Sequence, residues 1–323
     1  MSIDLITWVS FFGGLILLFV GGEVLVRGSV AVAKKFGVSP LLIGATVVAF
    51  GTSMPELVVS VGAAARGVVD IAIGNVLGSN LANLLLILGV TATLFPVVVE
   101  RQVVSRDGFA LALATIVVVG LAFVGIIPRY VGALMILTLI IFVLYGYWSE
   151  RKKYIVSSEN LSELHSNENY RIFKKQQGWH SYAFILTGIL GVVFGAHFLV
   201  ESGTTMARAA GISEAVIGLT IVALGTSLPE LATSIIAALK RQGEVALGNV
   251  LGSSLFNIFG ILGAVALVSP APIPEEIINF DIWVLLGVTS LVLLIVLFGR
   301  KLGRVTGVLL LIFYAVYVVY HYA

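Results

Sequence analysis

Cysteine is absent from this chain, which excludes disulfides, Cys-ligated zinc, iron–sulfur clusters and thiol catalysis together. Charge is scarce too. Only 11% of the 323 residues are charged, against about 25% in an ordinary soluble domain. That is too little to cover a surface facing water. The formal net charge of +2 is far below a nucleic-acid footprint, so no nucleic-acid partner is expected. The four histidines, His165, His180, His197 and His321, do not gather into one stretch. Met1 to Val20 has neither a basic n-region nor a small-residue cleavage site, and reads as a retained first span, not a signal peptide.

Apolar residues are what the chain has in excess: 59% are hydrophobic and the mean hydropathy is +1.09. At about 20 apolar residues per crossing there is room for roughly ten spans. The predicted fold class is therefore all-α, a polytopic membrane protein of ten transmembrane helices. They are expected near residues 5–33, 39–65, 71–95, 107–126, 130–148, 180–208, 213–239, 245–268, 281–299 and 304–322. With an outward N-terminus, fifteen Lys and Arg fall on inner loops and only Arg66, Arg129 and Arg208 on outer ones. The positive-inside rule then predicts a cell-membrane protein with both termini outside. Residues 149–179 are polar and rich in Ser, Asn and Glu. They cannot bury a core and are expected to be a flexible cytoplasmic linker between units 1–148 and 180–323.

The two units are related. Sliding the chain along itself by 174 residues aligns Gly37–Gly89 with Gly211–Gly263 without gaps, at 28 identities in 53 positions. Five spans precede the linker and five follow. Five is odd, so the second copy enters the membrane from the opposite side. Inverted repeats of this kind mark secondary transporters, with the site near the midplane between the repeats.

Identity concentrates in two stretches per copy. Gly51-Thr52-Ser53-Met54-Pro55-Glu56 matches Gly225-Thr226-Ser227-Leu228-Pro229-Glu230, and Gly74-Asn75-Val76-Leu77-Gly78-Ser79 matches Gly248-Asn249-Val250-Leu251-Gly252-Ser253. Both stretches fall mid-span. A carboxylate there costs at least ~2.5–3.5 kcal/mol, so Glu56 and Glu230 imply a compensating partner, either a bound cation or a proton. Arg27 could pair with one of them, but its mate in the other copy is Glu201, so the pairing cannot be symmetric. Pro55 and Pro229 should kink their helices and loosen carbonyls around Gly51 and Gly225, with Ala49 and Ala223 among the neighbours. Ser79 and Asn83 lie four apart on one helix face, as do Ser253 and Asn257. Gly74 and Gly248 read as packing glycines, while Gly78 and Gly252 could either pack or lend carbonyls. Every donor is oxygen, which suits hard cations such as Ca²⁺ and Na⁺. Two negative charges suit one Ca²⁺ or two Na⁺, and competition for the same oxygens would by itself couple the two ions in antiport.

These paired GTS(M/L)PE and GNxxGS segments resemble the α-repeats of the calcium/cation antiporter superfamily, specifically its sodium/calcium exchanger branch. The likeness covers nearly the whole chain. It implies side-chain oxygen ligands from Thr52, Ser53, Glu56, Ser79, Asn83, Thr226, Ser227, Glu230, Ser253 and Asn257. It further implies carbonyl ligands from Ala49, Gly78, Ala223 and Gly252, and sliding of spans one and six across the other eight. Asn257 is a neutral amide where some members carry Asp, which lowers the charge of the site and argues against a potassium requirement. The resemblance implies Ca²⁺ and Na⁺ as transported partners, the bilayer as surroundings, no cofactor and no enzymatic activity. A proton in place of sodium is the alternative driving ion.

Overall fold

The computed structural model describes residues 4–98, 101–162, 179–211, 223–299 and 301–322. Within these the chain is helical apart from four two-residue strands. Helix α1 (Leu5–Phe36) begins at Asp4, whose side chain accepts the Thr7 amide at 2.9 Å. It ends at Gly37, which takes the left-handed φ of 65° that only glycine adopts without strain. Lys34 and Lys35 in its last turn complement the helix dipole. Ser39 then caps α2 (Pro40–Thr52), with Pro40 at the first position, where its missing N–H costs nothing. There follow α3 (Met54–Ala65), α4 (Val69–Leu94), α5 (Arg101–Val124), α6 (Arg129–Ser162) and α7 (His180–Ala209). A single turn, α8 (Ala223–Gly225), precedes α9 (Leu228–Leu239), α10 (Gly243–Val268), α11 (Ile282–Gly299) and α12 (Arg304–Tyr322).

Seven of these helices are long and apolar enough to cross a membrane, and α2 with α3 makes an eighth if the bent pair counts as one span. Helices α9 and α12 are apolar but shorter. The expected span at 213–239 lies outside the described residues up to 222. Of the expected linker, 163–178 also lie outside them, but 149–162 do not: they continue α6 as helix to Ser162. The Glu-Arg-Lys-Lys run there is made of good helix formers, so a helix already nucleated in the preceding span propagates through it.

The two halves match in detail. Helices α3 and α9 are both 12 residues long, and the α-helical first parts of α4 and α10 (Val69–Leu81 and Gly243–Leu255) are both 13. Each of the latter runs on into a wide π turn, Ala82–Ile87 and Phe256–Leu262. Strand β1 (Val97–Val98) pairs antiparallel with β4 (Lys301–Leu302), and β2 (Ile126–Ile127) with β3 (Ala271–Pro272). Each half thus contributes one strand to each ladder.

Helices α4 and α10 are the enclosed centre, with 72% and 83% of their apolar windows buried, against 33% for α1 and 28% for α7. Leu81, Leu84 and Leu88 of α4 join Leu251, Leu255 and Leu262 of α10 in the main core. A second core forms around the α1–α7 pair from Leu18, Leu25, Ile185 and Val192, and Ile43 and Val48 of α2 belong to it. Glycines bring these two backbones together: a Cβ on Gly14 would lie 2.8 Å from the Gly195 carbonyl, and one on Gly188 2.5 Å from the Leu25 amide. Small residues at such crossings let dispersion and backbone contact supply the attraction that lipid, being equally apolar, does not.

Candidate cation site

The expectation of proline-kinked helices needs correcting in form. At Ser53 (φ −83°, ψ 11°) the helix stops, and α3 restarts at an angle of 48° to α2. Ser227 (φ −88°, ψ 5°) repeats the break before α9. Pro55 and Pro229 sit in the first turn of the new helix, where the N–H they lack would have had no partner. The break turns the Thr-Ser pair and the following Glu of each half toward the centre.

There the halves cross. Ser53 Oγ donates to Glu230 Oε1 at 2.7 Å, and Ser227 Oγ donates to Glu56 Oε1 at 3.1 Å. Each serine thus serves the carboxylate of the other half. Glu56 and Glu230 are both 1% exposed and close enough for each charge to act on the other. Among the described residues, no ion pair reaches either one: Arg27 pairs with Glu23 at 2.5 Å, and Arg106 with Asp107 and Glu150. Thr226 lies beside Glu56, and Thr52 and Ser253 beside Glu230.

Several buried oxygens around this pair accept nothing. Glu56 Oε2, Glu230 Oε2, Asn83 Oδ1, Asn257 Oδ1 and Ser253 Oγ have no hydrogen-bond partner. An ionised carboxylate can only accept, and an acceptor left unpaired in a dry interior costs about 1–3 kcal/mol, more when charged. Such a group in a native protein calls for an explanation. Five uncompensated oxygens from the two motifs of both halves are the ligand chemistry a hard cation requires.

The predicted residues fare as follows. Thr52, Ser53, Glu56, Ser79, Asn83, Ser227, Glu230, Ser253 and Asn257 are all buried, and Thr226 is half-buried. The carbonyl of Ala49 is not left free by the break: it accepts the Ser53 amide at 3.0 Å. The matching Ser227 amide goes to Leu224 O at 3.2 Å instead. The carbonyls of Gly78 and Gly252 accept the amides of Ala82 and Phe256. A carbonyl has two lone pairs, so each of these retains capacity for a second partner.

The expected packing role fits Gly248, where a Cβ would lie 2.3 Å from Leu41 O, and extends to Gly252, where one would lie 2.2 Å from Ala45 O. For Gly74 and Gly78 no described atom lies within 4 Å; the counterparts of Leu41 and Ala45, residues 215 and 219, lie outside the described residues.

Asn75 and Asn249 have roles that sequence reasoning did not assign. Asn75 Nδ2 donates to Ser60 Oγ (2.9 Å) and Glu56 O (3.4 Å), and Asn249 Nδ2 to Ser234 Oγ (3.1 Å) and Glu230 O (3.3 Å). Each amide fixes the turn that carries its own half's glutamate. Thr52 Oγ1 lies 3.2 Å from Asn249 Oδ1, so this layer also crosses between halves. The signal was available, since all four of these Asn and Ser positions are identities of the duplication. Asn80 and Thr233 Oγ1 are also buried without partners. Their mates are Ser254 and Val59, so the duplication gave no hint of them. His197 is 67% exposed and 3.6 Å from Glu201 on its own helix, well away from the site.

Comparison with known proteins bears on the chain as a whole. The family model described as sodium/calcium exchanger protein matches residues 6–148 and 180–323. The putative antiporter CaxA of Alkalimonas amylolytica is 36% identical, over 92% of this chain and 93% of that protein. The sodium/calcium exchanger MaX1 of Methanosarcina acetivorans is 34% identical, over 95% of each. A structure of the sodium-calcium exchanger NCX_Mj soaked with Na⁺ and Sr²⁺ superposes with a TM-score of 0.83 at 31% identity, covering 98% of both chains.

Proposed function

This integral membrane chain belongs to the sodium/calcium exchanger family, and on that premise we propose that it is a secondary antiporter exchanging Ca²⁺ for Na⁺. The observation that carries the reading is the crossed Ser–Glu pair with its unpartnered oxygens. Two carboxylates among neutral oxygens, with no cation among the described residues to balance them, balance one Ca²⁺ or two Na⁺. Whichever ion enters must take oxygens the other needs, so the two alternate. The fourteen residues Ala49, Thr52, Ser53, Glu56, Gly78, Ser79, Asn83, Ala223, Thr226, Ser227, Glu230, Gly252, Ser253 and Asn257 form the ligand set in this reading. Calcium and sodium are cargo, and the protein carries out no covalent chemistry and needs no cofactor.

Ten spans in two inverted five-helix repeats are the architecture we assign. The exchanged ladders β1–β4 and β2–β3 support it, because a two-fold axis in the membrane plane generates such a swap. The family match skips 149–179, in keeping with a connector between repeats. Both termini are assigned to the outside of the cell membrane on the basic-loop asymmetry. The α1–α7 pair is mostly exposed, joined along glycine faces, and meets the rest through small clusters with α2, α9 and α10. It is the natural rigid unit to glide over the enclosed centre and open the site to each side in turn.

The test is Ca²⁺ uptake into proteoliposomes holding the purified protein, driven by an outward Na⁺ gradient with pH equal and clamped on both sides. Uptake is expected under the Na⁺ gradient and not under a pH gradient imposed without Na⁺. Uptake driven only by the pH gradient would overturn the reading in favour of proton-coupled exchange.

A further inference from the structure

Away from the ion site, an apolar cavity of about 490 Å³ opens between the α1–α7 pair and the rest of the protein, a size within the range of ligand sites. Leu42 and Val47 of α2, Leu144 of α6 and Leu186 of α7 are among the residues that line it. The hydroxyl of its wall residue Thr46 donates to Leu42 O at 2.7 Å, so it has no proton left to give a ligand, and the rest of the wall is mostly apolar side chains.

The cavity mouth has a different chemistry. Tyr147 and Tyr182, both lining residues, hold the ring of Phe36 between them at centroid distances of 6.3 Å each. Each tyrosine also carries a cation. Lys35 Nζ sits 4.4 Å above the Tyr182 ring, and Arg151 lies over Tyr147, donating to its hydroxyl at 3.1 Å. Neither cation belongs to any ion pair among the described residues. An oily slot with tyrosines in its wall and a cation over each of them matches one ligand class: an anionic phospholipid. One acyl chain would fill the slot, and the phosphate would sit between Lys35 and Arg151.

We infer that this cavity is a specific anionic-phospholipid site. Its deep wall bears on the candidate ion site. Ile189 of α7 lines the cavity and packs on Gly51 so closely that a Cβ there would lie 2.3 Å from Ile189 Cδ1. Gly51 opens the motif that supplies Thr52 and Ser53. An acyl chain in the slot thus wedges between the peripheral pair and the helix that carries those two residues.

Binding alone tests the site, independently of what the protein transports. Purified full-length protein is exposed to dioleoyl phosphatidylglycerol, to dioleoyl phosphatidylcholine and to glycerol phosphate, and retained ligand is read by native mass spectrometry. One phosphatidylglycerol should be retained where phosphatidylcholine with the same tails is lost, and glycerol phosphate should not displace it. Equal retention of the two lipids, or of neither, overturns the inference with no variant needed. Lys35→Gln with Arg151→Gln should weaken retention about thirty-fold, from roughly fivefold per removed cation. Leu144→Trp, at a 46% exposed position on the wall, should abolish it by filling the slot. Undiminished binding in either folded variant would place the lipid elsewhere and sink the assignment.

Discussion

Replacing Glu230 with Gln probes the candidate site most directly. The amide keeps the volume and one carbonyl oxygen, so Ser53 Oγ, now 2.7 Å from Glu230 Oε1, retains an acceptor and the α2–α9 crossing should persist. What changes is charge: the pair falls from −2 to −1, and a site that neutralised Ca²⁺ is left at +1 when occupied. Removing one partner of a buried charge pair costs about 3–5 kcal/mol, which corresponds to roughly 150- to 5,000-fold in Kd. The sign for the empty protein is opposite. Glu230 is 1% exposed with Oε2 unpartnered, so losing its charge relieves an uncompensated interior and should not lower thermal stability. Calcium titration by calorimetry at fixed pH without Na⁺ reads the first quantity, and thermal unfolding without Ca²⁺ the second. Glu56→Gln should behave alike, whereas Glu201→Gln, whose side chain is 70% exposed, should bind Ca²⁺ normally. A Kd within threefold of the parent in either buried variant would refute the reasoning, as would equal losses in all three.

Further outcomes follow from the same coordinates. Gly14→Ala places a Cβ 2.8 Å from Gly195 O and 2.9 Å from the Leu199 amide, both backbone, while nothing lies within 4 Å at Gly13. Thermal unfolding should therefore show Gly14→Ala destabilised by about 1–3 kcal/mol and Gly13→Ala unchanged or better; equal effects would mean that α1 and α7 do not meet as described. Asn249→Ala removes bonds to Ser234 Oγ, Glu230 O and Thr52 Oγ1. It should weaken Ca²⁺ binding at least tenfold, at about 1 kcal/mol or more per buried group left unpaired, and unchanged binding in calorimetry would remove its positioning role. Asp107→Asn withdraws the carboxylate that holds Arg106 at 2.7 Å with no exposure of its own. Chemical or thermal unfolding should show a loss of about 2–3 kcal/mol, below the fully buried case because Arg106 remains 17% exposed and Glu150 still pairs with it at 3.1 Å.

Much of this was legible in the sequence, and the reasons differ by feature. Long spans such as α1, α4, α7 and α10 announce themselves because lipid leaves no alternative to a continuous apolar helix. The glutamates stood out because a carboxylate in such a helix demands a partner. The break at Ser53 was only half legible. Proline signals that a helix cannot continue undisturbed, but a kink and a restart differ in the ψ of the residue before the new helix, and composition does not encode that. The π turns after Leu81 and Leu255 were invisible because α4 and α10 are buried on nearly every side, so no apolar stripe exists whose shift would betray an extra residue. The extension of α6 to Ser162 was missed because charge was read as solvation, although Glu, Arg and Lys favour helix and suit solvent equally well. Gly252, open to either reading, faces Ala45 so closely that a Cβ would lie 2.2 Å from the Ala45 carbonyl oxygen, a fact about a neighbour 207 positions away that no local pattern carries.

The crossing of the serines has a mechanical consequence that neither half could produce alone. Were Ser53 bonded to Glu56 of its own half, each repeat would satisfy its carboxylate internally, and the repeats could move without regard to one another. Because Ser53 serves Glu230 and Ser227 serves Glu56, any displacement between the breaks before α3 and α9 strips a donor from both carboxylates together. The empty pair then resists displacement, since each lost bond leaves a buried carboxyl oxygen without its serine donor. In the proposed reading, a cation held by both carboxylates would remove that resistance by substituting its own field for the two O–H donors. The same geometry that makes the oxygens available to an ion thus makes motion of the ion-free centre costly. In the proposed motion the α1–α7 pair glides over this centre, and the crossed bonds would hold the two breaks in register while it does so.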